Sequence, residues 1–258
     1  DPANTINFDN SRAACTQKGT GWHLMTNAEW AFILLMAHKN QFFPRGNNSY
    51  GKDYLKTSEM AEASHLSGTT IGRTATGTGP VAWSHDGSPF GVFDLNGNVY
   101  KWVSGLRLDG GEIQIFENNN AADGTKDHSS SSGEWKAILE DGSLVAPATE
   151  GTLKMDATNA NGSGNIVIGT TVDNVSDGTT YAQTMFKDVV AKGTTTIPAI
   201  LKQLGLFPEN TSYPHGRMYM RNLGERLPYR GGNWGVTSDA GLPYLTMNNE
   251  RTYANGNP

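Results

Sequence analysis

The sequence predicts a loop-rich globular protein that combines a few helices with short strands, and three observations support this prediction. The chain of 258 residues contains 31 glycines, and only 36% of it is hydrophobic, which is typical of a modest core with many turns. Residues 26–38 combine a capping pattern with apolar side chains at helical spacing. Residues 111–115 alternate between apolar and polar side chains, as a half-buried strand does.

The clearest predicted helix begins at Thr26, whose hydroxyl and the Glu29 carboxylate have the spacing of a capping box. The apolar side chains on one face of this helix are Trp30, Ile33, Leu34 and Ala37. Weaker signals predict three further helices, at residues 9–18 with Asp9 as the cap, at 179–191, and at 197–204 with Pro198 near the first helical position. A short strand is expected at residues 166–168.

Composition excludes several classes of protein. The net charge of −5 offers no basic surface for nucleic acid or an anionic membrane, and no stretch approaches the roughly 20 apolar residues that span a bilayer. Cys15 is the only cysteine, so a disulfide within the chain is impossible. The chain begins at Asp1 without a methionine, and we expect it to be a fragment or a processed protein.

Three parts of the chain differ in character. Residues 1–108 and 216–258 contain aromatic and glycine-rich motifs, whereas residues 109–215 are more polar. We expect a single domain over residues 1–258, in which 109–215 is an insertion into a frame.

Three segments carry motifs of a known family. Residues 21–30 read GWHLMTNAEW, residues 91–103 read GVFDLNGNVYKWV, and residues 230–234 read RGGNW. In this order they resemble the formylglycine-generating-enzyme/sulfatase-modifying-factor family, whose motifs are hLPTEAEWEYAA, GLxDMxGNVWEW and RGGSW. The resemblance implies a C-type lectin-like α+β fold, with few helices around short, mostly antiparallel sheets and long loops.

The residues that the chemistry of this family requires are missing. The resemblance implies either a cysteine pair in the C-terminal part of the fold, which binds copper, or the iron site of two histidines and a glutamate found in related sulfoxide-forming enzymes. No cysteine follows Cys15, and the six histidines are scattered without ligand-like spacing, at His23, His38, His65, His85, His128 and His215. We therefore expect a binding protein without catalytic residues or a cofactor.

Residues 230–258 resemble the variable region of proteins that are diversified by diversity-generating retroelements, many of them encoded by phages. Those regions read RGGNW and then LNxNNxRxNxNxN before GFR. Here RGGNW is followed by Asn248, Asn249, Arg251, Asn255 and Asn257, and the chain stops where GFR is expected, which fits a truncation. The resemblance implies a protein of a virion or cell surface that binds a protein or glycan on a host cell, and it leaves a homo-oligomer open.

In this group of proteins, mutation at adenines turns Asn codons into codons for chemically diverse residues. Seven residues of the region fit the changes reachable from Asn, namely Gly235, Val236, Asp239, Pro243, Tyr244, Thr246 and Tyr253. We predict that they form a solvent-facing ligand-binding patch, in which Tyr244 and Tyr253 are the best contacts because tyrosine offers a large contact area at low entropy cost. Weaker candidates are Thr237 and Tyr229.

The neighbours of these seven residues carry further predictions. Pro243 is expected in a surface loop or at a strand edge, because proline cannot donate to a strand ladder. The side chains expected to face the core are Trp234, Leu242, Leu245 and Met247.

Two alternatives to a variable binding protein remain at this point. The first is an oxidative enzyme of the formylglycine-generating or sulfoxide-forming type, and the second is a calcium-dependent carbohydrate-binding module. Oxygen-bearing side chains at Asp94, Asn96 and Asn98 resemble half of a calcium loop, although no bidentate glutamate follows them. A hydrogen-bonded turn is favoured there, and structural calcium stays open.

Overall fold

A computed structural model describes residues 2–254 of the chain, so Asn255 and Asn257, two motif residues of the predicted variable region, lie outside the described residues. This part of the chain contains three α-helices, α1 at Phe8–Thr16, α2 at Asn27–Asn40 and α3 at Ala199–Gln203. It also contains four short 3-10 helices, at Val81–Trp83, Glu117–Ala122, Phe186–Asp188 and Thr237–Asp239. None of the helices found within residues 2–254 has the length and apolar character needed to cross a membrane.

The predicted capping box is confirmed at the start of α2. The Thr26 hydroxyl accepts a hydrogen bond from the Glu29 backbone N–H at 3.1 Å, and the Glu29 carboxylate accepts one from the Thr26 N–H at 2.9 Å. Two backbone N–H groups that a helix start would leave unpaired are therefore satisfied. The apolar face of α2 buries Trp30 and Leu34 in the core.

Three weaker helix predictions need correction. α1 is capped by Asn7, whose side chain accepts from the Asn10 N–H at 2.9 Å, so Asp9 is not the cap and lies in the first turn. The predicted helix at 179–191 is wrong, because that segment forms two strands separated by a 3-10 turn. Its first strand pairs with a neighbouring strand, which outweighs an ambiguous apolar spacing. The predicted helix at 197–204 is confirmed only over α3, with Pro198 as its N-cap residue.

Fourteen strands, most of them short, supply the rest of the regular structure within residues 2–254. They are β1 at Leu66–Ser67, β2 at Thr70–Ile71, β3 at Lys101–Trp102, β4 at Leu106–Asp109, β5 at Glu112–Phe116, β6 at Trp135–Ile138, β7 at Leu144–Val145, β8 at Lys154–Ala157, β9 at Ile166–Gly169, β10 at Ala182–Met185, β11 at Val190–Ala191, β12 at Arg217–Met220, β13 at Glu225–Gly231 and β14 at Gly241–Asn249. The strands expected at 111–115 and 166–168 are confirmed as β5 and β9.

The strands of this part of the chain form one large sheet of 12 strands and a separate pair, β1–β2. The main path of the large sheet runs β10-β12-β14-β13-β4-β5-β8-β9-β11, with β3 beside β13 and β6–β7 beside β5. Pairing is antiparallel except between β12 and β14 and between β9 and β11. Most of the short strands are thus joined into one large sheet, where the sequence predicts several short ones. β13 links its two halves, because its first residues pair with β4 and its last residues with β3 and β14.

One hydrophobic cluster draws on all three parts of the chain. It contains Leu34 of α2, Ile113 of β5, Leu201 of α3 and Leu245 of β14. The segment 109–215 therefore shares its buried side chains with the parts of the chain on either side. This arrangement buries apolar surface that short strands could not bury alone.

A buried arginine joins the helices to the sheet. Arg230 of β13 is 0% exposed, and its guanidinium donates to the Asn27 side-chain oxygen at 3.1 and 2.6 Å. It also donates to the backbone carbonyls of Leu204 and Gly205, each at 3.2 Å, directly after α3. Burial lowers the pKa of Arg230 to about 9. These hydrogen bonds, made by Nε and Nη2, offset part of the cost of burying the cation, whereas Nη1 has no partner among the described residues.

A buried histidine follows the 3-10 helix at Glu117–Ala122. The His128 ring is 2% exposed and lies 4.4 Å from the Phe116 ring, centroid to centroid. Burial, together with the positive charges of Arg12 and Arg251, lowers the pKa of His128 to about 4, although the Asp127 carboxylate opposes this shift. The folded protein therefore holds this imidazole in its neutral form at neutral pH.

We expect Arg230→Met to lower the free energy of unfolding by about 3 kcal/mol, because it leaves the Asn27 oxygen and the Gly205 carbonyl without their donor. Urea denaturation at neutral pH measures the change. Lys39→Met, at an exposed position of α2, is the control and should shift the free energy by less than about 0.5 kcal/mol. Equal stability of the Arg230 variant and the wild type would contradict this account.

The neutral His128 should make folding sensitive to acid. The pKa of His128 lies below the unfolded value of 6.5, so its contribution to stability is present above pH 6.5 and is lost as the pH falls towards about 4. Urea denaturation of wild type and His128→Phe between these pH values measures the effect. The wild type should lose more free energy of unfolding than the variant, and parallel losses would disprove the assignment.

Candidate ligand-binding cleft

Six of the nine tyrosines line one cleft, which we call the tyrosine cleft. Its volume is about 300 Å³. Its wall consists of Tyr100, Tyr181, Tyr219, Tyr229, Val236, Tyr244, Thr246, Asn248, Asn249 and Tyr253. None of these ten side chains carries a charge at neutral pH, so the cleft presents aromatic surface, hydroxyls and amides.

Strand register brings these residues together. Thr246 of β14 lies opposite Tyr219 of β12 on one side and opposite Tyr229 of β13 on the other. Side chains alternate between the two faces of a strand, so the residues adjacent to Thr246 and Tyr229 in their strands face the core. Leu245 and Arg230 are both 0% exposed on that opposite face.

The rings form a continuous series across the cleft. Tyr100 stacks against Tyr229 at a centroid distance of 5.5 Å and against Tyr244 at 5.7 Å. Tyr244 contacts Tyr219 at 5.8 Å, and Tyr219 contacts Tyr181 at 5.7 Å. At the other end of the series, Tyr229 contacts Tyr253 at 6.5 Å. Such offset and edge contacts stabilise the aromatic floor beyond simple burial.

The hydroxyls of this series remain protonated. Burial raises the pKa values of Tyr100, Tyr229 and Tyr244 above the ordinary tyrosine value. Tyr219 shows the same direction of pKa shift, caused first by burial and then by its hydrogen bond to Asp239. These phenols therefore stay protonated and uncharged throughout the neutral pH range, and the Tyr219 hydroxyl donates its proton to Asp239.

Two polar side chains, Asp239 and Asn248, lie at the edge of the tyrosine cleft. The Asp239 carboxylate accepts from the Tyr219 hydroxyl at 2.8 Å and from the Arg217 guanidinium at 2.9 Å, which fixes the orientation of that phenol. The side-chain oxygen of Asn248 is buried and has no hydrogen-bond partner among the described residues.

Four of the seven predicted site residues line the tyrosine cleft, namely Val236, Tyr244, Thr246 and Tyr253. Asp239 touches its edge through Tyr219, as described above. Gly235 lies outside the cleft and beside Tyr50, whose backbone N–H donates to the carbonyl of the preceding residue, Trp234, at 2.8 Å. Of the weaker candidates, Tyr229 lines the cleft and Thr237 does not.

The prediction that all seven side chains face solvent is wrong for three of them. Tyr244 is 3% exposed and Thr246 is 6% exposed, so they form the floor of the cleft. Pro243 is buried within β14, where the register against β13 shifts between Gly241 and Leu245. The interrupted ladder tolerates a residue without an N–H, which is why proline fits inside this strand. The four side chains expected to face the core, Trp234, Leu242, Leu245 and Met247, are buried as predicted.

The sequence reasoning missed Tyr100, Tyr181 and Tyr219. Tyr219 stands between the buried Met218 and Met220, and this alternation indicates that it lies on the opposite face of its strand. The alternation alone does not reveal which strands are neighbours. The apolar spacing of residues 179–191 favours a helix for Tyr181, and its true place beside Tyr219 depends on the pairing of β10 with β12.

The turn at residues 94–98 uses side-chain oxygens to hold the backbone. Asp94 and Asn98 adopt positive φ angles of 62° and 61°. The Asp94 carboxylate accepts from the Gly77 N–H at 2.8 Å, and the Asn98 side-chain oxygen accepts from the Thr74 N–H at 3.0 Å. Asn96 accepts from the Asn48 amide at 3.3 Å. Within residues 2–254, no group of three or more His, Cys, Asp or Glu side chains is arranged to hold a metal ion.

Comparison with known proteins places the chain in a family. The model of the sulfatase-modifying factor enzyme 1-like domain family matches residues 1–133 of the 258-residue chain, and this range includes two of the three motifs recognised in the sequence. No curated protein matches the chain. The sheet-rich α+β architecture with few helices is consistent with the C-type lectin-like fold of that family. By a match over more than half of its length, the chain belongs to the sulfatase-modifying factor enzyme 1-like domain family.

Proposed function

We propose that the protein is a ligand-binding protein, not an enzyme, and that the tyrosine cleft is its binding site. The observation that carries this proposal is the convergence of six tyrosines on one cleft together with Val236 and Thr246. The proposed partner is a protein or glycan on a host cell, and the protein acts on a virion or cell surface. Variation by a diversity-generating retroelement is part of the proposal.

The chemistry of the cleft supports recognition. Tyrosine buries a large area with two side-chain torsions and keeps a hydroxyl for hydrogen bonding. Contacts between rings hold most of these side chains before a ligand arrives, which reduces the entropy lost on binding. Tyr181 and Tyr253, at the two ends of the series, are 41% and 42% exposed and are accessible to a partner.

The frame around the cleft supports variation of side chains. β14 is hydrogen-bonded to β12 on one side and to β13 on the other, so its backbone is held by main-chain bonds that do not depend on residue type. Leu245 and Met247 fill the core from the opposite face of the same strand. Side chains on the cleft face can therefore change while the core contacts of the strand persist.

The proposal that the protein is not an enzyme rests on the lack of the cysteine pair that formylglycine-generating enzymes use for catalysis. Cys15 is the only cysteine of the chain, whereas formylglycine-generating enzymes need a pair. Cys15 lies in α1 and is not among the residues that line the cleft.

We expect a near-copy of the coding region for residues 230–258 in the surrounding DNA, close to a reverse transcriptase gene. In that copy, the codons for Val236, Asp239, Tyr244, Thr246 and Tyr253 should be AAC or AAT, because these residues arise from Asn codons by changes at adenines. Sequencing the locus in several isolates measures this. A copy that differs instead at the codons for Leu245 and Met247 would contradict diversification of the cleft.

Removing the two exposed ends of the tyrosine series should abolish most binding. We expect the double variant Tyr181→Ala/Tyr253→Ala to bind at least tenfold more weakly, roughly what the loss of two aromatic contacts costs. Binding is measured on a glycan array and on a panel of intact bacterial cells, with thermal unfolding as the test of folding.

Tyr50→Ala is the matched control, because Tyr50 is 45% exposed and does not line the cleft. It should bind as the wild type does. The proposal fails if the double variant is folded and binds normally, or if the control loses binding to the same extent.

A further inference from the structure

A second cavity lies beside α1 and shares no wall residue with the tyrosine cleft. We call it the α1 cavity. Its volume is about 570 Å³, which is within the range of small-molecule sites. The side chains that matter for its chemistry are Arg12, Lys126, His128, Ser129, Ser130 and Arg251.

The three cationic side chains in the wall of the α1 cavity differ in their direct ion pairs. Lys126 pairs with Glu134 at 2.9 Å. Arg251 pairs with Glu225 at 2.8 Å and with Asp9 at 2.9 Å. The guanidinium of Arg12, by contrast, makes no hydrogen bond or ion pair with any residue in the described part of the chain.

The other carboxylate in the wall is already engaged. Asp127 accepts from the Ser129 backbone N–H and from the Ser129 hydroxyl, both at 2.8 Å. The Arg12 side chain is partly buried, and burial is the first cause that lowers its pKa. The charges of Asp9 and Asp127 act on Arg12, but neither carboxylate forms an ion pair or hydrogen bond with its guanidinium. The guanidinium N–H groups therefore remain open to an added anion.

His128 provides a second unsatisfied group in the same wall. The residue is 2% exposed, and both ring nitrogens are shielded from solvent. Neither nitrogen has a partner in hydrogen-bond geometry among residues 2–254, although the backbone of Ala121 acts on the ring. Leaving a buried polar atom without a partner is costly, so such an atom calls for a ligand or an ordered water. The neutral ring has one N–H to donate.

The segment that carries His128 is held in place on both sides. The indole N–H of Trp135 donates to the Ser129 carbonyl at 2.9 Å, and Arg107 donates to the Ser130 carbonyl at 2.8 Å. These bonds fix the backbone of residues 128–130 before any ligand binds. A preformed wall loses little conformational entropy on binding.

We propose that the α1 cavity binds a small ligand through a carboxylate or phosphate group, which Arg12 contacts through its guanidinium while the buried His128 ring forms part of the same wall. A planar guanidinium matches the paired oxygens of both groups. This site shares no residue with the tyrosine cleft. The presence or absence of anion binding in the α1 cavity therefore does not test the function proposed for the tyrosine cleft.

Calorimetric titration of the purified chain with inorganic phosphate, glucuronate and glucose tests the proposal. Phosphate or glucuronate, or both, should bind in the millimolar range, whereas neutral glucose should not. Arg12→Gln should weaken binding by roughly tenfold or more, because it removes a charge-assisted hydrogen bond. Lys18→Gln removes an exposed charge directly after the same helix, outside the cavity wall, and should bind as the wild type does.

The two anions distinguish the source of the ligand group, since phosphate alone would indicate a phosphorylated ligand and glucuronate alone an acidic sugar. A proton NMR titration with the better anion should also shift the ring signals of His128, identified by their loss in His128→Phe. No binding by either anion up to about 20 mM overturns the proposal. Unchanged affinity of Arg12→Gln, or equal loss in Lys18→Gln, overturns it as well.

Discussion

The burial of Arg230 is the constraint on which the rest of the structure depends. A guanidinium inside a protein is stable only when most of its N–H groups find acceptors. Arg230 finds them at the start of α2 and directly after α3, in the Asn27 side chain and two backbone carbonyls. Two helices distant in sequence, α2 and α3, are thereby held at one point of β13. Because strand side chains alternate, the same constraint directs the neighbouring Tyr229 to the opposite face, where it joins the tyrosine cleft.

The two cavities present different chemistry to a ligand. The tyrosine cleft is uncharged and aromatic, with Asp239 held at its edge. The α1 cavity has no tyrosine in its wall and contains both cationic and acidic side chains, among which Arg12 has no direct ion pair. One uncharged and one charged cavity suit the recognition of a ligand with both apolar and charged parts, or of two separate ligands.

Membership in the family is compatible with the proposed binding function, because the residues that stabilise the fold differ from those that form the proposed site. The chain keeps the capping box of α2, the turn at residues 94–98 and the buried arginine of β13, all of which stabilise the backbone. It has only one cysteine. A frame held by main-chain bonds and buried polar contacts remains stable when the chemistry displayed on it changes, because site and scaffold use different residues.

The sequence by itself determined the local features, namely the capped helix α2, the strands β5 and β9 and the inward direction of Leu245 and Met247. Each of these depends on residues close together in the chain. The sequence also singled out Val236, Tyr244, Thr246 and Tyr253. Only the tertiary structure decided that Tyr100, Tyr181 and Tyr219 join them and that Pro243 is buried, since those outcomes depend on which strands pair and in which register.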